Sequence, residues 1–171
     1  MRTWRLAALS DLPAFRALIE RAYRGDTARK GWTHEADLFD DDRTSDAELT
    51  EALTDPARRV LLTEQEGTLV GTVTITDRSE GLAYLGMLCV DPAIQAGGLG
   101  RWLIGEAEAL AMREFGANTM EMTVIGRRED LIAYYERRGY ARTGEARPFP
   151  YGDPTRFAMI VLARSLVRPI A

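Results

Sequence analysis

Residues Tyr84 to Phe115 read YLGMLCVDPAIQAGGLGRWLIGEAEALAMREF, and the reading of this stretch decides the fold. Met87, Leu88, Cys89 and Val90 form an apolar run that is too short for a globular helix and suits an interior strand. Asp91-Pro92 stops it, because proline has no N–H for a ladder and restricts the residue before it. Three glycines follow at positions 97, 98 and 100. Trp102, Leu103, Ile104, Ala107, Leu110 and Ala111 then recur with the spacing of one helical face. Glycines let a backbone approach a ligand, and the unpartnered N–H groups and dipole at a helix start favour negative charge, so this geometry suits a phosphate or pyrophosphate. The glycines alone leave two readings open, an anion cradle and an empty strand-to-helix turn.

Spacing narrows the choice. No Gly-Lys-Ser/Thr follows, so the segment is not a P-loop, and Gly-Gly-x-Gly after what read as antiparallel hairpins is a poor dinucleotide fingerprint. Outward from this stretch, Thr3 to Leu6 predicts a first strand. Ser10 is the expected N-cap of a helix with Asp11 and Pro13 in its first turn, running through Phe15, Leu18, Ile19 and Ala22 to about Tyr23. Residues Arg24 to Thr44 form a long polar segment, which predicts a binding loop or lid. It holds the one histidine, His34, the acidic residues Glu35, Asp37, Asp40, Asp41 and Asp42, and an Arg24-Gly25-Asp26 triplet read as a turn. A single histidine excludes a multi-histidine metal site, and no metal is expected. The acidic run is either a solvated face or a wall that attracts an amine.

Ser45 or Asp46 would cap a second helix through Leu49 and Leu53, ended by Asp55-Pro56. Arg59–Thr63 and Thr68–Thr76 read as strands of a hairpin around Glu66-Gly67, with a third strand over Ala83–Val90 after a turn at Asp77–Gly81. After the long helix, Thr119–Ile125 alternates with Met120, Met122 and Val124 on one side. Leu131, Ile132, Tyr134 and Tyr135 belong to a short helix that Gly139 ends, Tyr140 opens another strand, a bend spans Phe149–Pro154, and Arg156–Leu162 is the last strand. The order is strand, two helices, three-strand meander, helix, strand, helix and two strands. That is an α/β layer arrangement and not a regular βαβ series.

With 171 residues and a formal charge of -4, the chain reads as one domain over residues 1–171 and not as a general nucleic-acid binder. The lone Cys89 permits no intrachain disulfide and reads as a buried structural thiol. No signal peptide or membrane-length apolar run is visible, so the expected location is the cytoplasm, with no membrane partner.

The run LCVDPAIQAGGLGRWLI resembles the GNAT superfamily of acyl-CoA-dependent N-acyltransferases, whose pyrophosphate motif Arg/Gln-x-x-Gly-x-Gly/Ala is matched by Gln95, Gly98 and Gly100. A second resemblance lies in LIAYYERRGY, where Tyr134, Tyr135, Gly139 and Tyr140 match the end of a family motif, while Arg128 and Leu131 stand where Asn and Ala are usual. The resemblance implies a mixed central sheet, splayed between its fourth and fifth strands, with helices on both faces. It further implies acetyl-CoA as acyl donor. Main-chain groups of Leu88, Cys89 and Val90 would pair with the pantetheine arm. The N–H groups of Gln95, Ala96, Gly97, Gly98, Leu99, Gly100 and Arg101 would receive the pyrophosphate, with an N–H at Cys89 or Val90 as oxyanion donor.

Tyr135 is the implied general acid for the leaving thiolate, and Tyr134 is assigned to packing. The family often places a Glu near the fourth or fifth strand, and on the fourth this chain has Tyr84, Leu85 and Gly86 instead. Glu121 is the best in-chain base candidate, ahead of Glu80 and the Glu35/Asp37 cluster. The expected reaction is direct acetyl transfer from acetyl-CoA to a primary amine of a small molecule or peptide. A non-catalytic acyl-CoA sensor or structural subunit is the alternative, and an α/β protein that binds no CoA is a third reading. The terminal strand could meet a second copy in a homodimer or be satisfied within the monomer.

Overall fold

The computed structural model describes residues 2–23, 45–150, 153–155 and 157–167, with backbone alone at 95 and 96. The expectations for His34, for the acidic residues between 35 and 42, for the 24–26 turn, for residues 151 and 152 of the bend and for Arg156 fall outside the described residues.

Seven strands form one sheet in the order β1-β2-β3-β4-β5-β7-β6. The chain runs β1 (Arg5–Leu6), α1 (Leu12–Tyr23), α2 (Asp46–Thr54), β2 (Arg58–Gln65), β3 (Thr68–Asp77), β4 (Leu82–Val90), α3 (Leu99–Phe115), β5 (Thr119–Ile125), α4 (Glu129–Glu136), β6 (Ala141–Pro148) and β7 (Ala158–Ser165). The mixed α/β architecture and the order of elements agree with the sequence reading. The last strand begins later than expected and runs three residues further, to Ser165. It is an interior strand, paired on one side with β5 and on the other with β6.

Local chemistry explains the elements. Glu66 and Gly67 both have positive φ, 51° and 79°, the left-handed pair that a two-residue hairpin turn needs to match strand twist. Ser45 caps α2 by accepting from the Glu48 N–H at 3.2 Å, as expected. The entry to α1 differs from the expectation for Ser10. A 3-10 turn over Leu9–Asp11 precedes the helix, and Asp11, not Ser10, does the capping: its Oδ2 accepts from the Ala8 N–H at 2.7 Å. The aspartate prevails because its carboxylate also takes both guanidinium nitrogens of Arg5 at 2.8 Å, and charge-assisted bonds are stronger than a hydroxyl's.

Each face of the sheet carries its own core. One holds α3 and α4, with Leu61, Val73, Ile75, Ala83, Leu85, Val90, Met120, Met122 and Val124 of the strands beneath them. Leu103, Ile104 and Leu110 of α3 are at most 2 % exposed, each contributing about 1.5–3 kcal/mol of burial. The other face holds α1 and α2 over Val60, Leu62, Leu69 and Cys89.

The sheet opens between β4 and β5. These strands run parallel and share three register pairs, Leu82↔Thr119, Ala83↔Met120 and Tyr84↔Glu121, after which their ladder stops. A bulge lies just beyond. Thr72 pairs with Cys89 and Thr74 with Gly86, so Met87 and Leu88 together stand against Val73. Met87 takes φ 51°, a left-handed conformation that is strained for a non-glycine residue. The inserted residue reverses the alternation: Ala83 and Leu85 face α3, whereas Met87 and Cys89 face α1 and Val90 again faces α3.

Candidate functional site

The site follows from that opening. At its upper end Asp91 terminates β4, accepting from the Ala93 N–H at 3.0 Å, and Pro92 starts a 3-10 turn that ends at Gly97. Gly98 has φ 75° and ψ 10°, and α3 begins at Leu99. The left-handed glycine turns the chain into the helix, whose first-turn N–H groups have no intrahelical partners. Arg2 reaches this loop from the other side of the sheet sequence, donating to the carbonyls of Gly97 and Gly98.

Gly100 is where side-chain size matters. A Cβ there would lie 3.2 Å from the Tyr134 Oη and 3.8 Å from Val90 Cγ2. Tyr134 of α4 therefore hangs its hydroxyl over the first turn of α3, next to the end of β4. Burial raises its pKa above the ordinary phenol value, with the nearby guanidinium of Arg138 opposing the rise. Arg138 also stacks over the Tyr134 ring at 4.1 Å.

Tyr135 lies deeper, 7 % exposed, in the α3-side core. It is fixed from its own helix end. The Tyr140 N–H donates to the Tyr135 carbonyl at 3.2 Å and the Gly139 N–H to the Glu136 carbonyl at 3.0 Å. Gly139 has φ 97°. This is the Schellman pattern, and its apolar contact is the edge-to-face pair Tyr135–Tyr140 with centroids 6.3 Å apart. Tyr140 is anchored in turn: its hydroxyl donates to Glu108 Oε2 at 2.9 Å, and Arg164 donates to both oxygens of Glu108 at 3.1 Å. Burial, followed by the Glu108 charge, pushes the Tyr140 pKa far up, so this phenol stays protonated as a donor.

Glu121 is on the opposite face. Strand alternation puts Met120, Met122 and Val124 under α3, and Glu121, Thr123 and Ile125 on the other side. Tyr84, the register partner of Glu121, bonds through its hydroxyl to Thr123 Oγ1 at 2.7 Å. Arg147 of β6 grips Glu121 with two bonds, NH1 to Oε1 at 3.0 Å and NH2 to Oε2 at 3.2 Å, and it also holds Glu145.

The expected residues thus divide. Leu88, Val90, Gly97 to Arg101 and Tyr135 gather on the α3 side or at its loop, and the backbone of residues 95 and 96 belongs to the 3-10 turn. Cys89 is buried with its side chain toward α1. Glu121 and Tyr135 do not meet on one face: Tyr135 lies in the α3-side core, and Glu121 stands on the other face at the last pair of the β4–β5 ladder. Arg128, in the place of the usual Asn, begins α4 without a side-chain cap and is 9 % exposed beside Asp130. Sequence reasoning missed Arg2, Tyr134 and Arg147 as site residues. Only Tyr134 carried a signal, its adjacency to Tyr135.

The residues fit a CoA thioester: the sheet is open beside the glycine loop, and the cradle at Gly100 is one that a single methyl group would fill. Among the described residues no group of His, Cys, Asp and Glu has metal-site geometry, and no helix is long and apolar enough to cross a membrane.

Comparison with known proteins agrees. The profile of the acetyltransferase (GNAT) family matches residues 14–140. Over 92 residues, 51% of this chain, the sequence is 36% identical to a mycothiol acetyltransferase of Propionibacterium freudenreichii subsp. shermanii, and the match spans 28% of that protein's length. The fold is similar to that of the ribosomal-protein-S18-alanine N-acetyltransferase from Escherichia coli, with TM-score 0.73, 21% identity, and 99% of this chain and 97% of that one covered. It is similar also to yncA of Salmonella typhimurium, a putative acetyltransferase solved with its cofactor acetyl-CoA, with TM-score 0.69, 21% identity, and 100% and 97% covered. The chain belongs to the acetyltransferase (GNAT) family.

Proposed function

We propose that this chain transfers an acetyl group from acetyl-CoA directly to a primary amine, with Tyr135 as general acid. The observation that carries the reading is the opening of the sheet after Tyr84↔Glu121, flanked on one face by the glycine loop and on the other by a carboxylate. Bound acetyl-CoA supplies an activated thioester. The first-turn N–H groups of α3 and those of residues 95–98 bind its pyrophosphate, and the Leu88–Val90 segment lies along the pantetheine arm like a neighbouring strand. A backbone N–H at Cys89 or Val90 stabilises the developing oxyanion. Burial of the Cys89 side chain toward α1 supports direct attack over an acyl-cysteine route.

A leaving thiolate needs a proton, and a neutral phenol supplies one without placing a charge in the cleft beforehand. The Schellman end of α4 holds Tyr135 for that task. On the other face Glu121 accepts a charge-assisted hydrogen bond from an incoming ammonium, takes its proton and passes that proton to water. Residues of the α3-side core fill the first face, which leaves the Glu121 face for the acceptor's approach.

The test is acetyl-CoA titration followed by thiol release over a panel of amines. Tyr135→Phe should lower kcat by about 10²-fold while the acetyl-CoA Kd stays where it was. Unchanged kcat would overturn the acid assignment. Tight binding without thiol release from any amine would favour the non-catalytic acyl-CoA sensor.

A further inference from the structure

The acceptor face carries more charge than a simple amine requires. On the face of Glu121, Arg147 binds both Glu121 and Glu145. Both carboxylates are engaged by the same arginine. A bare ammonium would have to compete with Arg147 for Glu121 and would leave the guanidinium short of a carboxylate. A zwitterion would not: its ammonium faces Glu121, its carboxylate takes a share of the Arg147 fork, and the face gains no net charge.

Geometry favours the same ligand. The guanidinium of Arg147 presents a bidentate edge, the arrangement that recognises carboxylates, and its side chain is 33 % exposed while that of Glu121 is 11 % exposed. Thr74 supplies an independent sign of a polar ligand. Its register partner on β4 is Gly86, and it shares the face of Tyr84, since Val73 and Ile75 point the other way into the α3-side core. Its Oγ1 is buried, the residue being 5 % exposed, with no hydrogen-bond partner among the described residues. A buried hydroxyl left unsatisfied is costly, and a polar acceptor that reached it would remove that cost.

We infer that the acceptor is a small amino-acid-like zwitterion, with its amine received by Glu121 and its carboxylate by Arg147. This rests on the acetyltransferase reading above and deepens it. Arg147 is then a specificity residue for the acceptor and takes no part in proton transfer.

The experiment compares three acceptors with a common side chain, an α-amino acid, its methyl ester and its decarboxylated amine, by thiol release with saturating acetyl-CoA. The amino acid should exceed the other two at least tenfold in kcat/KM. In Arg147→Gln that preference should collapse toward one, chiefly through the amino acid's KM, and Arg147→Lys should restore part of it. Circular dichroism and the acetyl-CoA Kd of each variant establish that the fold is kept. Should Arg147→Gln fail to fold, the wild-type preference together with Arg147→Lys decides. Equal or better use of the decarboxylated amine by wild type, or equal loss for all three acceptors in the variants, overturns the zwitterion while leaving the acetyltransferase intact. Absence of thiol release from all three and from the wider amine panel, with acetyl-CoA bound, overturns both.

Discussion

Two glycines set the chemistry of this site by what they lack. Gly139 takes φ 97°, and a Cβ there would also press within 3.1 Å of Arg164 Nε. Gly139→Ala therefore costs the left-handed penalty of about 1–2 kcal/mol and disturbs the turn that fixes Tyr135. Thermal melts should show that loss, and kcat should fall more than the affinity for acetyl-CoA does. Gly100 has ordinary room except at one point, the Tyr134 hydroxyl. Gly100→Ala keeps the backbone N–H and moves Tyr134 by a few tenths of an ångström, so calorimetry should find weaker acetyl-CoA binding with little change in melting temperature. At this scale the sequence was partly legible. Gly139 and Tyr135 stood out because a helix-ending glycine four residues after a tyrosine is a local pattern. Arg147 did not, because its partner Glu121 is 26 residues away on a strand that β7 separates from β6. Arg2 lies 95 residues from Gly97, a contact that strand order alone creates.

Elements are held at their ends, and the entry to α1 is the clearest case. Asp11 joins three pieces: its carboxylate binds Arg5 of β1, caps the turn at Ala8, and through Arg5 reaches Glu64 of β2 at 2.8 Å. The Arg5 hydrogen bonds, helped by the Ala8 N–H, hold the Asp11 pKa at about 2, below its ordinary 3.8. A carboxylate whose folded pKa is depressed stabilises the fold above its unfolded pKa, and that contribution is lost as pH falls from about 4 to about 2. Asp11→Asn should lower stability at neutral pH by about 1 kcal/mol, the worth of a cap with an exposed ion pair. The gap between wild type and variant in urea midpoint should close as the pH is taken below 4. The sequence placed this helix by its apolar spacing but assigned the cap to Ser10, because a hydroxyl at that spacing looks the same whether or not an arginine stands nearby. The β2–β3 turn and the cap of α2 were read correctly for the opposite reason, since their determinants are adjacent residues.

Across the whole molecule, the two parts of the sheet are joined at β4 and β5 by three register pairs and by the Tyr84–Thr123 bond. Cofactor lying between the strands would add contacts to both, so acetyl-CoA at a hundred times its Kd should stabilise the fold by about 2.7 kcal/mol. Hydrogen exchange should slow in β4 and β5 together; slowing confined to α3 would mean that binding stops at the glycine loop. The α/β arrangement was legible because meander, glycine loop and long helix follow one another without interruption, and the point of opening only through the family that this order resembles. The Glu121–Arg147 pair was not, since its two charges come from β5 and β6 on either side of β7, and only the sheet order brings them together.

That same junction divides the chain in order as well as in space. Strands β1 to β4, the glycine loop and α3 precede Gly116, whereas Tyr134, Tyr135, Glu121 and Arg147 all follow it. The proposed phosphate cradle and the proposed acid and acceptor carboxylate are therefore encoded on either side of a single turn, and contacts across it tie the segments together, among them Tyr134 against Gly100 and Tyr140 on Glu108. A lineage that diversified its second segment toward a new amine would have to keep those two tyrosines to keep its hold on the acyl donor.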